Sequence, residues 1–263
     1  MIKTSRSKML KTTILTGSCA LALLPICASA QEEAVAGFTD AQKVEIGAII
    51  KDYLMENPKV IFDAVEIHQQ REEEQQAARA QAAIQSKYEK LIAPEAPSVG
   101  ASAAEADVTI VEFFDYNCGY CKRALPAVQE IVKSDPKVRF VFKEMPILGE
   151  TSKTASAWAL AAAKQDKYFA YHVALMEFRG PKEPEQLAKI AEDLGLDVEK
   201  MKEDVESPEV HAEILADVEL AREIGISGTP AFIFGQELVP GYIDKDSMQA
   251  KIAQYREAMK AQQ

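Results

Sequence analysis

Hydrophobic positions fall into two regimes along this chain. From Val108 to Tyr116 the run "VTIVEFFDY" is almost continuously apolar and rich in β-branched residues. That pattern predicts a central strand buried on both faces. "CKRALPAVQEIVKS" follows, with Leu125, Val128, Ile131 and Val132 at helical spacing and Pro126 inside, where it is expected to kink the helix. "KVRFVFKEMP" predicts the next strand. A long helical stretch over about 151–224 comes next, punctuated by Gly180-Pro181, Gly195 and Ser207-Pro208. "TPAFIFG" and "QELVPGY" predict two strands turning at Gly235, and a closing helix follows, capped by Asp244 or Asp246. The order is strand, helix, strand, helical insertion, strand, strand, helix. This is an α/β pattern. Parallel strands joined by one helix take a right-handed crossover, so the first two strands should lie side by side.

Residues 31–92 follow the other regime. They are rich in Ala, Gln and Glu, with no glycine after Gly47. Thr39 and Gln42 have the spacing of a capping box, and Val44, Ile46, Ile49, Ile50, Tyr53 and Leu54 recur at helical intervals. Asn57-Pro58 should end that helix and begin another, with Asn57 as N-cap and Pro58 at the first helical position. The second helix carries Val60, Ile61, Ala64, Val65 and Ile67 and then turns mostly polar. Such faces either fold back on the rest of the chain or pair with copies of themselves; the second reading makes 31–92 an oligomerisation stalk. Residues 93–106, "APEAPSVGASAAEA", predict a linker plus an edge strand, which leaves 107–263 as the main domain.

The first thirty residues need separate treatment. Four basic residues precede an apolar stretch from Thr12 to Ile26 that ends in Ala28-Ser29-Ala30. This predicts a signal peptide cleaved after Ala30, in an exported, periplasmic protein. The stretch is short for a bilayer span, which needs about 20 residues. The whole chain of 263 residues carries −11; without the leader, which holds four of the 30 basic and none of the 41 acidic residues, the charge is −15. That balance argues against nucleic acid and anionic membrane surfaces as partners. Two of the four cysteines, Cys19 and Cys27, leave with the leader, so Cys118 and Cys121 remain. A four-cysteine zinc site within one chain is thereby excluded, and disulfide chemistry is permitted by export.

Cys118-Gly119-Tyr120-Cys121 sits where the strand gives way to the helix. Unpaired N–H groups and the helix dipole there favour a thiolate at Cys118, the expected attacking group. Cys121 lies one turn later, placed to resolve a mixed disulfide. Other readings are a purely structural clip, which would close so small a loop that it constrains little, and a two-coordinate Cu(I) site on the two thiolates. Gly119 and Tyr120 bring no charge, which suggests a moderate redox poise. Glu112 interrupts the apolar strand; it points either to solvent or inward, as a buried acid serving Cys121. Thr229-Pro230 opens a strand, and by itself such a proline is uninformative.

Taken together, "FFDYNCGYC" and "GISGTPAFIFG", in this order of elements, resemble the thioredoxin superfamily, and the helical insertion is similar to its DsbA-like branch. The resemblance implies a thioredoxin fold with a helical insertion, a catalytic pair at Cys118 and Cys121, a buried acid at Glu112, and a cis-proline loop at Thr229-Pro230 that offers backbone to a substrate strand beside Gly119 and Tyr120. "FTDAQKVEIGAIIKDYLMENPKVIFDAV" resembles the N-terminal stalk of ScsC-like and Com1-like proteins. That implies a homo-oligomer, a trimer by analogy, acting as a disulfide isomerase on exported clients. It also implies a DsbD-like membrane reductase as partner, and no cofactor. The Gly-Tyr dipeptide is shared with the isomerase DsbC and departs from the Pro-His of the oxidase DsbA. A dithiol oxidase and a Cu(I)-handling envelope protein remain as alternatives.

Overall fold

The computed structural model describes residues 37–261. The leader expected at 1–30, its cut after Ala30, and Cys19 and Cys27 lie outside the described residues. The chain divides into two units, with the boundary after Ile61.

In the first unit, helix α1 (Asp40–Glu56) begins with the expected capping box: Thr39 Oγ1 accepts from Gln42 N at 3.3 Å, and Thr39 N donates to Gln42 Oε1 at 2.9 Å. No residue of α1 is buried. Asn57 departs from expectation. Its backbone N–H and its side-chain amide both turn back to Tyr53 O, at 2.9 and 3.0 Å, so it closes α1. Helix α2 (Lys59–Leu91) therefore starts at Lys59, one residue after Pro58.

The second unit holds the rest of α2 and a five-stranded sheet. Its strands are β1 (Ser98–Gly100), β2 (Val108–Phe114), β3 (Val138–Glu144), β4 (Ala231–Phe234) and β5 (Glu237–Pro240), in the order β1-β3-β2-β4-β5. β2 and β3 pair in parallel, as the crossover rule requires, through helix α3 (Gly119–Ser134). The other pairs are antiparallel. The helical insertion comprises α4 (Glu150–Ala163), α5 (Tyr168–Glu177), α6 (Pro184–Asp193), α7 (Val198–Val205) and α8 (Pro208–Ile224). Ser207 caps α8 and accepts from Val210 N. Helix α9 (Lys245–Lys260) closes the unit; of the two candidate caps, Asp244 accepts from Ser247 N at 2.8 Å.

Two cores flank the sheet, and strand parity sorts the residues between them. Ile110, Phe114, Phe140, Phe142, Phe232 and Phe234 join α3, α9 and most of the insertion on one face. Val111, Phe113, Val141, Ala231 and Ile233 join α8 and Ala80, Ile84 and Leu91 of α2 on the other. Of the two alternatives for the N-terminal helices, folding back on the rest of the chain holds for the end of α2. Its last turns cover the sheet, whereas Val60, Ile61, Phe62, Val65 and Ile67 near its start stay exposed.

Arg139 of β3, 1% exposed, anchors the end of α2. Its guanidinium donates to Ile92 O at 2.7 Å, Ala93 O at 2.9 Å and Pro94 O at 3.3 Å. These carbonyls lie just past the negative end of the helix dipole, where a cation is favourable. The Arg139→Met variant should therefore lose about 1–3 kcal/mol of stability, since it strands those acceptors and a buried site. Urea unfolding followed by circular dichroism measures this, and an unchanged midpoint would refute the anchor.

Candidate active site

The site is built where β2 ends and α3 begins. "DYN" carries the chain from the sheet to the helix, and Cys118 is the N-cap of α3. Its Sγ accepts from Cys121 N at 3.3 Å. Both cysteines are free thiols and both are buried, Cys118 at 5% exposure and Cys121 at 1%. The peptide bond between Thr229 and Pro230 is cis. In its thiol form Cys118 Sγ donates to Thr229 O at 3.3 Å, across 111 residues of sequence. The proline loop thus lies directly against the first cysteine.

The two sulfurs are driven apart in acidity. Hydrogen bonding from the Cys121 thiol, the Thr229 side chain, and the backbone N–H groups of Cys121 and Tyr120 outweighs burial and lowers Cys118 to about 6. Burial, the Cys118 hydrogen bond and the nearby Glu112 charge push Cys121 far up. One sulfur is a thiolate at neutral pH; the other keeps its proton.

Glu112 points inward. Position 112 shares its strand face with Ile110 and Phe114, the face that carries α3, and the residue is 3% exposed. Burial, then the Cys118 charge, raises its carboxyl to about 8. It pairs in register with Phe142 and Phe232, so aromatic strands enclose it on both sides. Of the other candidate positions, Gly119 opens α3 and has free space around its Cα. Tyr120 is 59% exposed, its ring 6.4 Å from that of Tyr242. Arg123 stacks over the Tyr242 ring at 4.9 Å. Gly241 N donates to Pro230 O at 2.9 Å, which ties Tyr242 to the proline loop.

Sequence reading missed the polar lattice behind the pair. Asp115, fully buried, accepts from Asn117 N at 2.6 Å, Ser152 Oγ at 2.7 Å and Leu148 N at 2.9 Å. Asn117 Nδ2 donates to Thr151 Oγ1 and Ser152 Oγ, both at 2.9 Å. Tyr116 OH lies 3.1 Å from His172 Nδ1 and 3.4 Å from Glu144 Oε1. Burial lowers His172 to about 3 and raises Glu144 to about 8, so both are neutral near pH 7. Polar residues within the apolar run were the available signal; their partners lie 28 to 56 residues away and carry no local pattern. No group of three or more His, Cys, Asp or Glu that could hold a metal occurs among the described residues.

Residues 109–253, more than half of the chain, match the DSBA-like thioredoxin domain. The chain belongs to that family. Residues 42–75 match a second family, the copper resistance protein ScsC N-terminal domain. Among solved structures, a thioredoxin-like oxidoreductase from Silicibacter pomeroyi DSS-3 is 45% identical with a TM-score of 0.61, covering 64% of this chain and 97% of that one. A linker-deletion mutant of Proteus mirabilis ScsC is 27% identical with a TM-score of 0.64, covering 86% of this chain and all of that one. A curated relative from Salinispora tropica, Na(+)/H(+) antiporter NhaA 3, is 34% identical over 130 residues, 49% of this chain. The chain spans only 20% of that relative's length. Among the described residues no helix is long and apolar enough to cross a membrane. The family's fold is the one described above: the DsbA-like thioredoxin fold, with the insertion standing between β3 and β4.

Such an arrangement can perform thiol–disulfide exchange. A thiolate stands at a helix N-terminus beside the cis-proline loop, with a protonated thiol one turn on and a buried carboxyl nearby. Two pH predictions follow. In the reduced protein a single thiol should react with iodoacetamide, with a rate midpoint near pH 6, and Cys121 should resist until the protein unfolds. Glu112, raised from 4.5 to about 8, makes the folded state bind a proton that the unfolded chain releases, so its contribution to stability falls as pH rises through that window. Cys118, lowered from 9.0 to about 6, acts with the opposite sign between those values. The stability lost by the reduced protein between pH 5 and pH 8 should therefore shrink in Glu112→Gln. Denaturant melts at both pH values test this, and an equal loss in both proteins would refute it.

Proposed function

We propose that this chain is an exported thiol–disulfide oxidoreductase that works as a protein disulfide isomerase. The Cys118 thiolate attacks one sulfur of a non-native client disulfide. That S–S bond breaks, a client thiolate leaves, and a mixed disulfide forms with Cys118. Another client thiolate then attacks the mixed disulfide, makes the native bond and returns Cys118, with no net oxidation. When rearrangement stalls, Cys121 attacks the Cys118 sulfur. The client leaves reduced, and Cys118–Cys121 becomes a disulfide. Glu112, in its ionised fraction, takes the Cys121 proton in that step; in the mixed disulfide the Cys118 charge that helps to raise its carboxyl is gone, which favours that ionised form. Thr229 and Pro230 present backbone to the client strand, and Gly119 and Tyr120 line the approach. A DsbD-like membrane reductase resets the oxidised pair.

The observation that carries isomerase over oxidase lies outside the catalytic pair. Phe38, Val44, Ile49, Ile50, Tyr53 and Met55 of the N-terminal unit are all more than half exposed. Helices that expose such residues are stabilised by pairing with copies of themselves. A homo-oligomer, a trimer by analogy with ScsC-like stalks, would gather several Cys118 thiolates around one client and raise their effective concentration. The leader expected at 1–30 would deliver the chain to the periplasm, where clients carry disulfides. One observation favours the oxidase reading instead: a thiolate stabilised to about 6 stabilises the reduced form and makes the pair more oxidising.

Reactivation of scrambled ribonuclease by the mature protein distinguishes the two. Wild type should reactivate it and sediment as an oligomer. The double variant Ile49→Asp, Ile50→Asp should sediment as a monomer, lose about tenfold or more in reactivation, and keep its ability to oxidise a reduced peptide. A wild-type protein that fails to reactivate scrambled ribonuclease yet oxidises the peptide quickly would make it an oxidase.

A further inference from the structure

Lys122 and Arg123 follow Cys121 directly on α3, and Lys182 reaches the same region from the loop between α5 and α6. The two lysines are engaged. Lys182 is buried and donates to Asn117 Oδ1 at 3.1 Å, and Lys122 donates to Phe178 O at 3.2 Å. Arg123 differs. It is exposed, and its guanidinium has no hydrogen-bond or ion-pair partner among the described residues. The surface arginines Arg222 and Arg256 do have such partners, in Glu219, Asp107 and Asp135. Arg123 instead lies over the Tyr242 ring, 4.9 Å from its centroid. A guanidinium stacked on an aromatic face is held in place without using its N–H donors.

That ring adjoins both the cysteine motif and the proline loop. Tyr242 is 36% exposed, in the turn between β5 and α9. Its neighbour Gly241 donates to Pro230 O at 2.9 Å, and Thr229 O accepts from Cys118 Sγ. The ring of Tyr120, which stands between the two cysteines, is 6.4 Å from that of Tyr242. Tyr120 and Arg123 are three residues apart on α3 and share a helix face. At 1.5 Å per residue, Arg123 stands about 7 Å along the helix axis from Cys118. An extended client covers that span with about two residues.

We propose that Arg123, held on Tyr242, is a specificity residue that takes the carboxylate of an acidic side chain within about two residues of the client cysteine. This rests on the reading that Cys118 exchanges with client disulfides, and it names the clients that reading favours. A planar guanidinium presents paired donors that match a carboxylate. Without its leader the chain carries −15, a field that repels acidic segments in general. An unpaired arginine beside the cysteine motif reverses that sign locally, so the preference is confined to residues that flank the client cysteine.

The test uses the reduced mature protein, with Arg123→Gln and Arg123→Glu beside wild type. The substrates are short peptides whose single cysteine is activated as its disulfide with thionitrobenzoate. Each carries Glu, Gln or Lys at one of the two positions on either side of that cysteine and is otherwise uncharged. Cys118 attacks the peptide sulfur, the S–S bond breaks, and thionitrobenzoate leaves as a coloured thiolate. Its release gives a rate for each peptide. Comparing peptides within one protein cancels any effect of the variant on the sulfur itself. At one or more positions wild type should react about two- to fivefold faster with Glu than with Gln, and slowest with Lys. Arg123→Gln should lose that preference, Arg123→Glu should reverse it, and high salt should weaken it in wild type. The same Glu-to-Gln ratio in wild type and both variants, at every position, would overturn the proposal and leave the exchange reading intact. No release from any peptide would overturn the exchange reading itself, and the proposal with it.

Discussion

Everything at this site depends on the hydrogen bond from Cys121 N to Cys118 Sγ, which makes the sulfur the cap of its own helix. An N-cap ordinarily satisfies an orphan N–H with a side-chain oxygen. Here a sulfur takes that place, and the interaction is stronger for the thiolate than for the thiol. Capping the helix and part of the lowering of the Cys118 thiol are therefore one interaction. The same helical turn carries Cys121 back into the core, where burial keeps its proton on. Two identical side chains three residues apart thus acquire opposite protonation states because one stands at the helix end and the other one turn inside it.

That geometry needs a rigid platform, and the sheet provides it through parity. β2 is buried on both faces, so it reads as a continuous apolar run, yet alternate residues still serve different cores. Glu112 falls on the α3 face. A shift of one residue in the strand would move the carboxyl to the side covered by α2 and α8, away from the cysteines. β2 is pinned by a parallel partner on one edge and an antiparallel partner on the other, which specifies its register from both sides.

The insertion does more than cover the sheet. Its helices and loops reach back to the turn between β2 and α3 through Ser152, Thr151, His172 and Lys182, and to the end of β3 through Ser156 and Tyr168. Ser156 Oγ donates to Glu144 Oε2 at 2.7 Å and Tyr168 OH to Glu144 Oε1 at 2.9 Å, so a buried acid joins β3 to two insertion helices. Such a network is favourable only when every member is satisfied. The turn that carries Cys118 is thereby held by the insertion as well as by the proline loop.

Much of this was legible in the chain. The apolar run from Val108, the helical spacing after Cys121, the capping box at Thr39 and the turn at Gly235 are local patterns, and each element formed where its pattern lay. The activating position of Cys118 was legible for the same reason, since a helix start needs only neighbouring residues. Three outcomes required tertiary structure. Glu112 could have faced water or the core, and only the placement of helices on both sheet faces made it buried. α2 has one sequence character but two environments, because Ala80, Ile84 and Leu91 find the sheet and the residues near its start do not. Asp115, Asn117 and Lys182 converge only because the chain returns through the insertion, and a hydrogen bond spanning 65 residues leaves no periodic trace. The sequence by itself determined the elements and the place of Cys118 at a helix start, since both follow from near neighbours; the tertiary structure decided burial and long-range polar contacts, since those depend on which surfaces meet.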